Sequence, residues 1–440
     1  MRARFLLTFL LLGLVAGCSE KESGPPNIIV IITDDHRHDF LGSVSPDHLQ
    51  TPNLDRLAAE GIRFSNAFVT TSLCSPAKAT YLTGLYAHTH QVVVNEDMDL
   101  QAQTPTIAQR LQKEGYETAF IGKWHMARRT TARPGFDHWI SFHGQGHYFT
   151  NTLNVDGKWE LCKNYITDEL TDRAISYLKL PRDKPFLMFL SHKAVHEPFD
   201  PADRDRDRFA NQALPEFDQP GELRNKAPWK EIRQSESGTN RIKRYRQTLA
   251  SVDDNLGRLL ASLEEQGILD DTVIIYAGDN GYLLGEHGGL YDKRAPFEPS
   301  IRVPMIMRYP GRAKAGSIEQ KMVLNLDLVP TILDLAGAPE DPDLPGRSML
   351  SGGPGRESFL YEYFASEGKV PTCLAVRTQH WKLVTFPHNP EFKTELFDLQ
   401  ADPGETKNLA GDPAQAETLA RLHEQLEKLK KDSNFRWPKY

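Results

Sequence analysis

Three apolar runs in this chain have the pattern of strands that are buried on both faces. They cover 27–33, 185–190 and 272–277, and none of them has a charged residue in its interior. Such runs are typical of parallel strands that are covered by helices on both sides of a sheet. They alternate with a long amphipathic helix predicted at 241–266 and with a shorter helix that Thr167 is predicted to cap. This alternation predicts an α/β fold.

Two further helices are predicted from the residues that begin and end them. Thr51-Pro52 and Thr104-Pro105 each place a capping hydroxyl before a proline that suits the first helical turn. Gly61 and Gly115 stand where these helices would end. The stretch around Cys74 lies between the two helices.

The last quarter of the chain has a different pattern. The glycine-rich segment 352–355 indicates a boundary near residue 354. Beyond it, four short strand-like runs precede a polar helix; they cover 358–363, 374–377, 381–385 and 395–399. We therefore predict a large domain over 27–354 and a small subdomain over 355–440, which would consist of an antiparallel sheet and a helix.

The N-terminus has the pattern of an export signal. Met1–Arg4 is basic, and the apolar run Phe5–Val15 is too short to span a bilayer stably. The residues that follow, 15–18, resemble a bacterial lipobox, in which the chain is cut before the cysteine and the cysteine is then lipidated. The alternative is an ordinary secretory signal with a chance cysteine.

The lipobox resemblance implies a signal peptide over 1–17, a lipidated Cys18 and a linker over 18–26. The protein would then be an exported bacterial lipoprotein that is attached to a membrane through its lipid anchor. Ser19 after the cysteine is similar to outer-membrane sorting signals, which would leave the protein facing the periplasm or the cell surface.

Charge and cysteine content exclude two classes of protein. The formal net charge of the 440 residues is −7, which argues against nucleic acid as the main partner. Besides Cys18 the chain has only Cys74, Cys162 and Cys373, too few for a disulfide scaffold and without the spacing of a zinc site. Cys162 and Cys373 could form one bridge in an exported protein, or remain two isolated buried thiols.

Oxygen-bearing side chains follow two of the apolar strands. Asp34 and Asp35 come directly after the first run, and Asp279 and Asn280 come shortly after the last. In open α/β sheets the carboxyl ends of the strands are where ligands bind. These side chains offer only oxygen to a ligand site, which suits Ca²⁺ or Mg²⁺ rather than zinc.

Several cationic or imidazole side chains occur at other predicted strand ends, among them the end of an alternating run at 116–121, or at a helix start. They are Lys78, Lys123, His125, His196, His287 and Lys293. Together with a divalent cation they would suit an anionic substrate group. For His287, the alternative is a structural histidine in a loop.

The segment 73–84 predicts a reactive residue at the start of a helix. Pro76 suits the first helical position, and Gly84 can adopt the left-handed conformation that ends the helix. Cys74 would then lie where free N–H groups and the helix dipole favour an anion. Taken by itself, this segment favours a buried cysteine before a short helix over a reactive residue.

Taken together, these motifs resemble the sulfatase family of the alkaline phosphatase superfamily. The matching segments, in chain order, are Thr33-Asp34-Asp35, Cys74-x-Pro76 with Thr83-Gly84, Gly122-Lys123-Trp124-His125, His196-Glu197-Pro198, Asp279-Asn280-Gly281, Gly285-Glu286-His287-Gly288, Lys293 with 300–304, and 395–399 with 402–409. The resemblance covers about residues 27–410. It implies an α/β fold with an alkaline-phosphatase-like mixed, largely parallel sheet flanked by helices, and a small C-terminal α+β subdomain.

The resemblance also implies a cofactor and a maturation partner. A formylglycine-generating enzyme would convert Cys74 to formylglycine, whose hydrate is the nucleophile. Asp34, Asp35, Asp279, Asn280 and residue 74 would hold Ca²⁺, in preference to Mg²⁺.

Roles for the remaining residues follow from the same resemblance. Lys123 would bind a sulfate oxygen, and His125 would help the second hydroxyl of the hydrate to expel sulfate. His196 and Lys293 occupy the positions of the general acid. His287 would reach the sulfate or the sugar.

One position departs from the family pattern, in which an arginine stands where this chain has Lys78. A lysine keeps the charge but not the planar fork of an arginine. The interpretations are a tolerated variant, weakened maturation and turnover, or an inactive relative; with the other positions intact, we expect an active enzyme.

Two further segments resemble the branch that contains N-acetylglucosamine-6-sulfatases and related bacterial glycan sulfatases; they are 87–96 and 361–378. We therefore expect a sulfated carbohydrate substrate. The alternatives are a phosphonate or phosphate ester hydrolase of the same superfamily, and a glycan-binding lipoprotein without catalysis.

Overall fold

A ten-stranded mixed sheet forms the centre of the molecule. The computed structural model describes residues 24–95, 98–127, 130–217, 229, 238–365 and 370–439. The strands of this sheet are β1 (Asn27–Thr33), β2 (Ile62–Phe68), β3 (Glu117–Gly122), β4 (His138–Phe142), β5 (Asn151–Val155), β6 (Lys158–Cys162), β7 (Phe186–Ser191), β8 (Thr272–Gly278), β9 (Met305–Arg308) and β10 (Ser317–Leu324). Their spatial order is β10-β2-β9-β8-β1-β7-β3-β4-β5-β6, and β8, β1, β7, β3 and β4 run parallel in the middle. The predicted largely parallel sheet is confirmed.

Helices cover both faces of this sheet. The helices that precede the C-terminal sheet are α1 (Pro52–Ala59), α2 (Cys74–Thr83), α3 (Ala87–His90), α4 (Ile107–Lys113), α5 (Ile166–Leu178), α6 (Gly238–Glu265), α7 (Glu286–Gly289), α8 (Glu298–Ile301) and α9 (Leu328–Leu335). Apolar side chains of α1, α5 and α6 pack on one face, and those of α2, α4 and α9 pack on the other. Burial on both faces explains why β1, β7 and β8 are continuously apolar.

The predicted C-terminal subdomain is present as a second sheet with a helix. Its antiparallel strands are β11 (Ser358–Tyr363), β12 (Cys373–Thr378), β13 (Trp381–Thr385) and β14 (Glu395–Asp398), and its helix is α10 (Ala416–Asp432). β11 also contacts the large domain, because Glu362 N donates to Thr70 O at 2.9 Å. The exact boundary at residue 354 stays a prediction.

Two predicted helix starts were wrong. The helix expected to open at Thr104-Pro105 begins at Ile107, because Thr106 and Gln109 form a reciprocal capping box. The helix expected to be capped by Thr167 already begins at Ile166, with Tyr165 at its N-cap.

Other predictions concern the termini and the cysteines. The predicted signal peptide and Cys18 lie outside the described residues. In the described part of the chain, no helix has the length and apolarity needed to cross a membrane. Cys162 and Cys373 are both buried and free, which confirms the alternative of two isolated thiols.

Candidate active site

Cys74 begins helix α2 and is fully buried. Leu73 precedes it in extended conformation as the N-cap, and Gly84 ends the helix with a φ of 73°, as predicted. Pro76 is the third helical residue rather than the first, since the helix starts two residues earlier than expected. Its missing N–H costs nothing there, because the first four N–H groups of a helix have no partner within it.

Four oxygen-bearing residues meet beside Cys74 because β1 and β8 are adjacent parallel strands whose ends coincide. Asp35 N donates to Asp279 Oδ1 at 3.0 Å, and Asn280 Nδ2 donates to Asp35 Oδ1 at 2.6 Å. Carboxylate oxygens of Asp34, Asp35 and Asp279 lie within 4.8 Å of one another. The predicted carboxylate cluster is therefore brought together.

Two oxygens of this cluster fit a cation that binds oxygen ligands. Asp35 Oδ2 and Asn280 Oδ1 are buried and have no hydrogen-bond partner in the described part of the chain. Burial and the neighbouring Asp34 raise the pKa of Asp279 to about 7. A divalent cation would supply the missing partner for both oxygens and compensate the buried negative charge, so the donor set fits a hard metal ion.

Three buried lysines surround Asp34. Its Oδ2 accepts from Lys78 Nζ at 2.7 Å and from Lys123 Nζ at 2.6 Å, and Lys293 Nζ lies 3.7 Å from its Oδ1. Burial alone would raise the pKa of Asp34, but these lysines hold it well below its ordinary value. Asp34 is thus a permanent anion at the centre of the cluster.

The thiol of Cys74 lies between a carboxylate and an ammonium group. Its Sγ is 3.4 Å from Asp34 Oδ1, and Lys293 Nζ donates to it at 2.9 Å. Lys293 Nζ also donates to Asp35 Oδ1. Burial, with Asp34 as the next cause, raises the pKa of the thiol to about 11. An unmodified Cys74 is therefore a protonated thiol and a poor nucleophile.

Two predicted histidines also reach this site. Ser75 Oγ lies 3.3 Å from His125 Nδ1. His196 Nδ1 contacts the Glu197 carbonyl at 2.8 Å, so Nδ1 carries the hydrogen, and a nitrogen of His196 is within 4.8 Å of Asp34 and Cys74. Burial and the Lys123 charge lower the pKa of both imidazoles well below the ordinary value.

His287 has a different environment. It is 1% exposed, and its ring packs on Phe297 with the centroids 4.0 Å apart. Burial lowers its pKa to about 4, and the charges that act on it are those of Lys382 and Asp402 in the C-terminal subdomain. These surroundings favour the structural alternative, and its substrate-binding role stays a prediction.

The Lys78 ammonium makes some of the contacts expected of the arginine that stands at this position in the family pattern. It donates to Asp34 Oδ2 and also to Asp279 Oδ2, so a single Nζ bridges the ends of β1 and β8. The charge and the bridge are both present. The geometry therefore favours a tolerated variant over a disrupted site.

Sequence reasoning missed two residues of the site. Lys193 is 1% exposed, and its Nζ lies 4.9 Å from the Tyr148 ring centroid; burial and Lys123 lower its pKa to about 7. Its position just after β7 was a usable signal. Gln145 Oε1 accepts from Lys123 Nζ at 2.5 Å, but it lies in an aperiodic segment that gives no such signal.

Comparisons with known proteins agree with this geometry. The Sulfatase family model matches residues 26–338, and the model named N-sulphoglucosamine sulphohydrolase, C-terminal, matches residues 285–432. The N-acetylglucosamine-6-O-sulfatase of Bacteroides thetaiotaomicron is 33% identical over 97% of this chain and 90% of its own length. The N-acetylglucosamine-6-sulfatase of Homo sapiens is 29% identical over 88% of this chain and 81% of its own length.

A solved structure of a protein in complex with its substrate D-glucosamine-2-N,6-O-disulfate superposes on this chain with a TM-score of 0.85. The two sequences are 31% identical, and the match covers 94% of this chain and 99% of the other. The family generally uses a formylglycine and a divalent metal, and both have matching residues in this site. The chain belongs to the sulfatase family and is a sulfuric ester hydrolase.

Proposed function

We propose that this chain is an exported bacterial lipoprotein that removes 6-O-sulfate from glucosamine-type glycans. The substrate is supported by the names of the relatives and by the glucosamine disulfate bound in the similar structure. Export and lipidation are supported by the sequence before residue 19. The observation that carries the activity is the position of Cys74 Sγ, at a helix start and between Asp34 Oδ1 and Lys293 Nζ.

Residue 74 would act as formylglycine, and Asp34, Asp35, Asp279 and Asn280 would hold Ca²⁺ beside it. Ca²⁺ is preferred to Mg²⁺ because several side-chain oxygens converge here, whereas Mg²⁺ usually keeps most of its water. When present, the formylglycine hydrate supplies the nucleophilic hydroxyl and Ca²⁺ supplies positive charge next to it. The unpartnered oxygens of Asp35 and Asn280 support this assignment.

The lysines and histidines would bind the sulfate, stabilise its charge and transfer protons. Lys123 would bind a sulfate oxygen, and the buried cations together would stabilise the charge that spreads over the sulfuryl group. Lys293, 2.9 Å from Sγ, would give a proton to the leaving sugar oxygen, with His196 beside the same atoms. His125 would take the proton from the second hydroxyl of residue 74 when sulfate is expelled.

The chemistry is tested on protein from its native host. Peptide mass spectrometry across 70–84 should show formylglycine at residue 74. Sulfate should be released from glucosamine 6-sulfate or N-acetylglucosamine 6-sulfate, and not by a Cys74→Ala control. Turnover of aryl sulfates alone would contradict the glycan assignment, and faster release of alcohol from a phosphonate monoester would favour the phosphonate alternative.

Localisation needs its own experiment. The wild-type protein should partition into the detergent phase of a membrane extract, and Cys18→Ala should move it to the aqueous phase. Equal partition of both proteins would contradict lipidation at Cys18.

A further inference from the structure

The hydroxyl of Tyr361 joins the two segments that carry Cys74 and Lys293. Tyr361 lies on β11 of the C-terminal sheet, and its side chain is 0% exposed. It has no part in the chemistry proposed above. The phenolic oxygen nevertheless forms hydrogen bonds with the Arg294 carbonyl and the Ser72 hydroxyl, and both residues lie close in sequence to the reacting groups.

These hydrogen bonds have a defined direction. Tyr361 Oη donates to the carbonyl of Arg294 and lies 2.7 Å from Ser72 Oγ. A carbonyl oxygen can only accept, so the single phenolic hydrogen points to Arg294, and the Ser72 hydroxyl must donate to the phenolic oxygen. Arg294 N also donates to Ser72 O at 3.0 Å. The two segments are therefore tied directly to each other and bridged a second time through Tyr361.

The bridge lies next to the reacting groups in the sequence. Ser72 is two residues before Cys74, and Arg294 is one residue after Lys293, whose Nζ is 2.9 Å from the Cys74 Sγ. Ser72 is also 0% exposed, so water cannot replace a lost partner easily. A shift of either segment would change the distance between residue 74 and the lysine ammonium.

We propose that Tyr361 is a positioning residue that keeps Lys293 in register with residue 74. The C-terminal subdomain would thereby control how well the enzyme cleaves esters whose leaving oxygen needs a proton. This inference rests on the proposed role of Lys293 as the proton donor.

The test uses a series of aryl sulfates whose phenols differ in pKa, together with one sugar 6-sulfate. Tyr361→Phe removes the hydroxyl at nearly constant volume. We expect kcat to fall about tenfold for the poorest leaving groups and less than about twofold for the best. The reason is that a small misplacement of the Lys293 proton donor slows only those reactions whose leaving oxygen needs a proton. The KM should be nearly unchanged. Ser72→Ala should also make kcat depend more steeply on the pKa of the leaving group, but by a smaller amount than Tyr361→Phe does.

Tyr116→Phe is the matched control. It also removes a buried tyrosine hydroxyl that donates to a carbonyl, that of Pro26 at 3.0 Å, but at the start of β1, the opposite end from the site. The dependence of its kcat on the pKa of the leaving group should equal that of the wild type. All rates are expressed per formylglycine, which removes differences in maturation.

An equal loss of kcat across the whole series in Tyr361→Phe, or no loss, would overturn the positioning role. The same change in Tyr116→Phe would overturn it too. The proposed substrate fails separately, when wild-type enzyme cleaves aryl sulfates but no sugar sulfate. A formylglycine-bearing wild type that cleaves no sulfate at all would overturn both proposals.

Discussion

Replacing Lys78 with methionine tests whether the carboxylates beside it form the cation site. The Lys78 side chain is 5% exposed, its two carboxylate partners Asp34 and Asp279 are 0% exposed, and the Nζ–Asp34 Oδ2 distance is 2.7 Å. Methionine keeps an unbranched side chain that is one heavy atom shorter, and it removes the charge and the hydrogen bonds. Breaking a buried ion pair by removing one partner costs about 3–5 kcal/mol.

This loss converts to a measurable change in melting temperature. An unfolding entropy of about 2.1 cal/mol/K per residue gives about 0.9 kcal/mol/K for a chain of 440 residues. Lys78→Met should therefore lower the Tm by about 3–6 °C in a chelator, as measured by scanning calorimetry. Saturating Ca²⁺ should shrink this difference, because a dication compensates the same carboxylates.

Lys78→Arg is the control, since it keeps the charge. Its Tm in the chelator should stay closer to that of the wild type than the Tm of Lys78→Met does. The reasoning would be refuted by a Lys78→Met variant that is as stable as the wild type in the chelator. It would also be refuted by a difference that Ca²⁺ leaves unchanged, since Asp34 and Asp279 would then not hold the cation.

Three further results are expected. Cys74→Ala should lower sulfate release on the order of 10⁴-fold or more; residual turnover near that of the wild type would exclude residue 74 as the nucleophile. The hydrogen bond and charge of Glu362 raise the pKa of His88 despite burial, so its stabilisation is present below about pH 6.5 and lost as the pH rises through the raised pKa. The Tm difference between His88→Gln and wild type should thus be largest in acid, and a difference that grows with pH would contradict this. Lys382→Met removes the ammonium that lies 2.6 Å from a carboxylate oxygen of the buried Glu405. The free energy of unfolding, measured with denaturant, should fall by about 3–5 kcal/mol. A fall below about 1 kcal/mol would show that this ion pair contributes little to stability.

The sequence was sufficient to predict the centre of the site. Asp34 and Asp279 follow strands that are buried on both faces, and the carboxyl ends of adjacent parallel strands meet at one edge of the sheet. Their proximity therefore follows from the local pattern. The identity of the chemistry came from the order and spacing of motifs rather than from any one residue.

Long-range pairing was not predictable in the same way. The strands at 62–68, 305–308 and 317–324 were missed. The first and last have polar positions, and the middle one is only four residues long and runs antiparallel between β8 and β2. The pairing of such strands depends on tertiary packing, and their sequences carry only a weak periodic signal.

The burial of Cys74 also has a consequence for how the active protein is made. All ten residues of α2 are buried, and the thiol itself is 0% exposed. An enzyme that oxidises this thiol must bind the surrounding peptide, which the folded chain does not offer. Oxidation to the proposed formylglycine would therefore compete in time with folding in each newly made chain, and a chain that folds first would keep its cysteine. The specific activity of a preparation would then measure the outcome of this kinetic competition as well as the rate of catalysis.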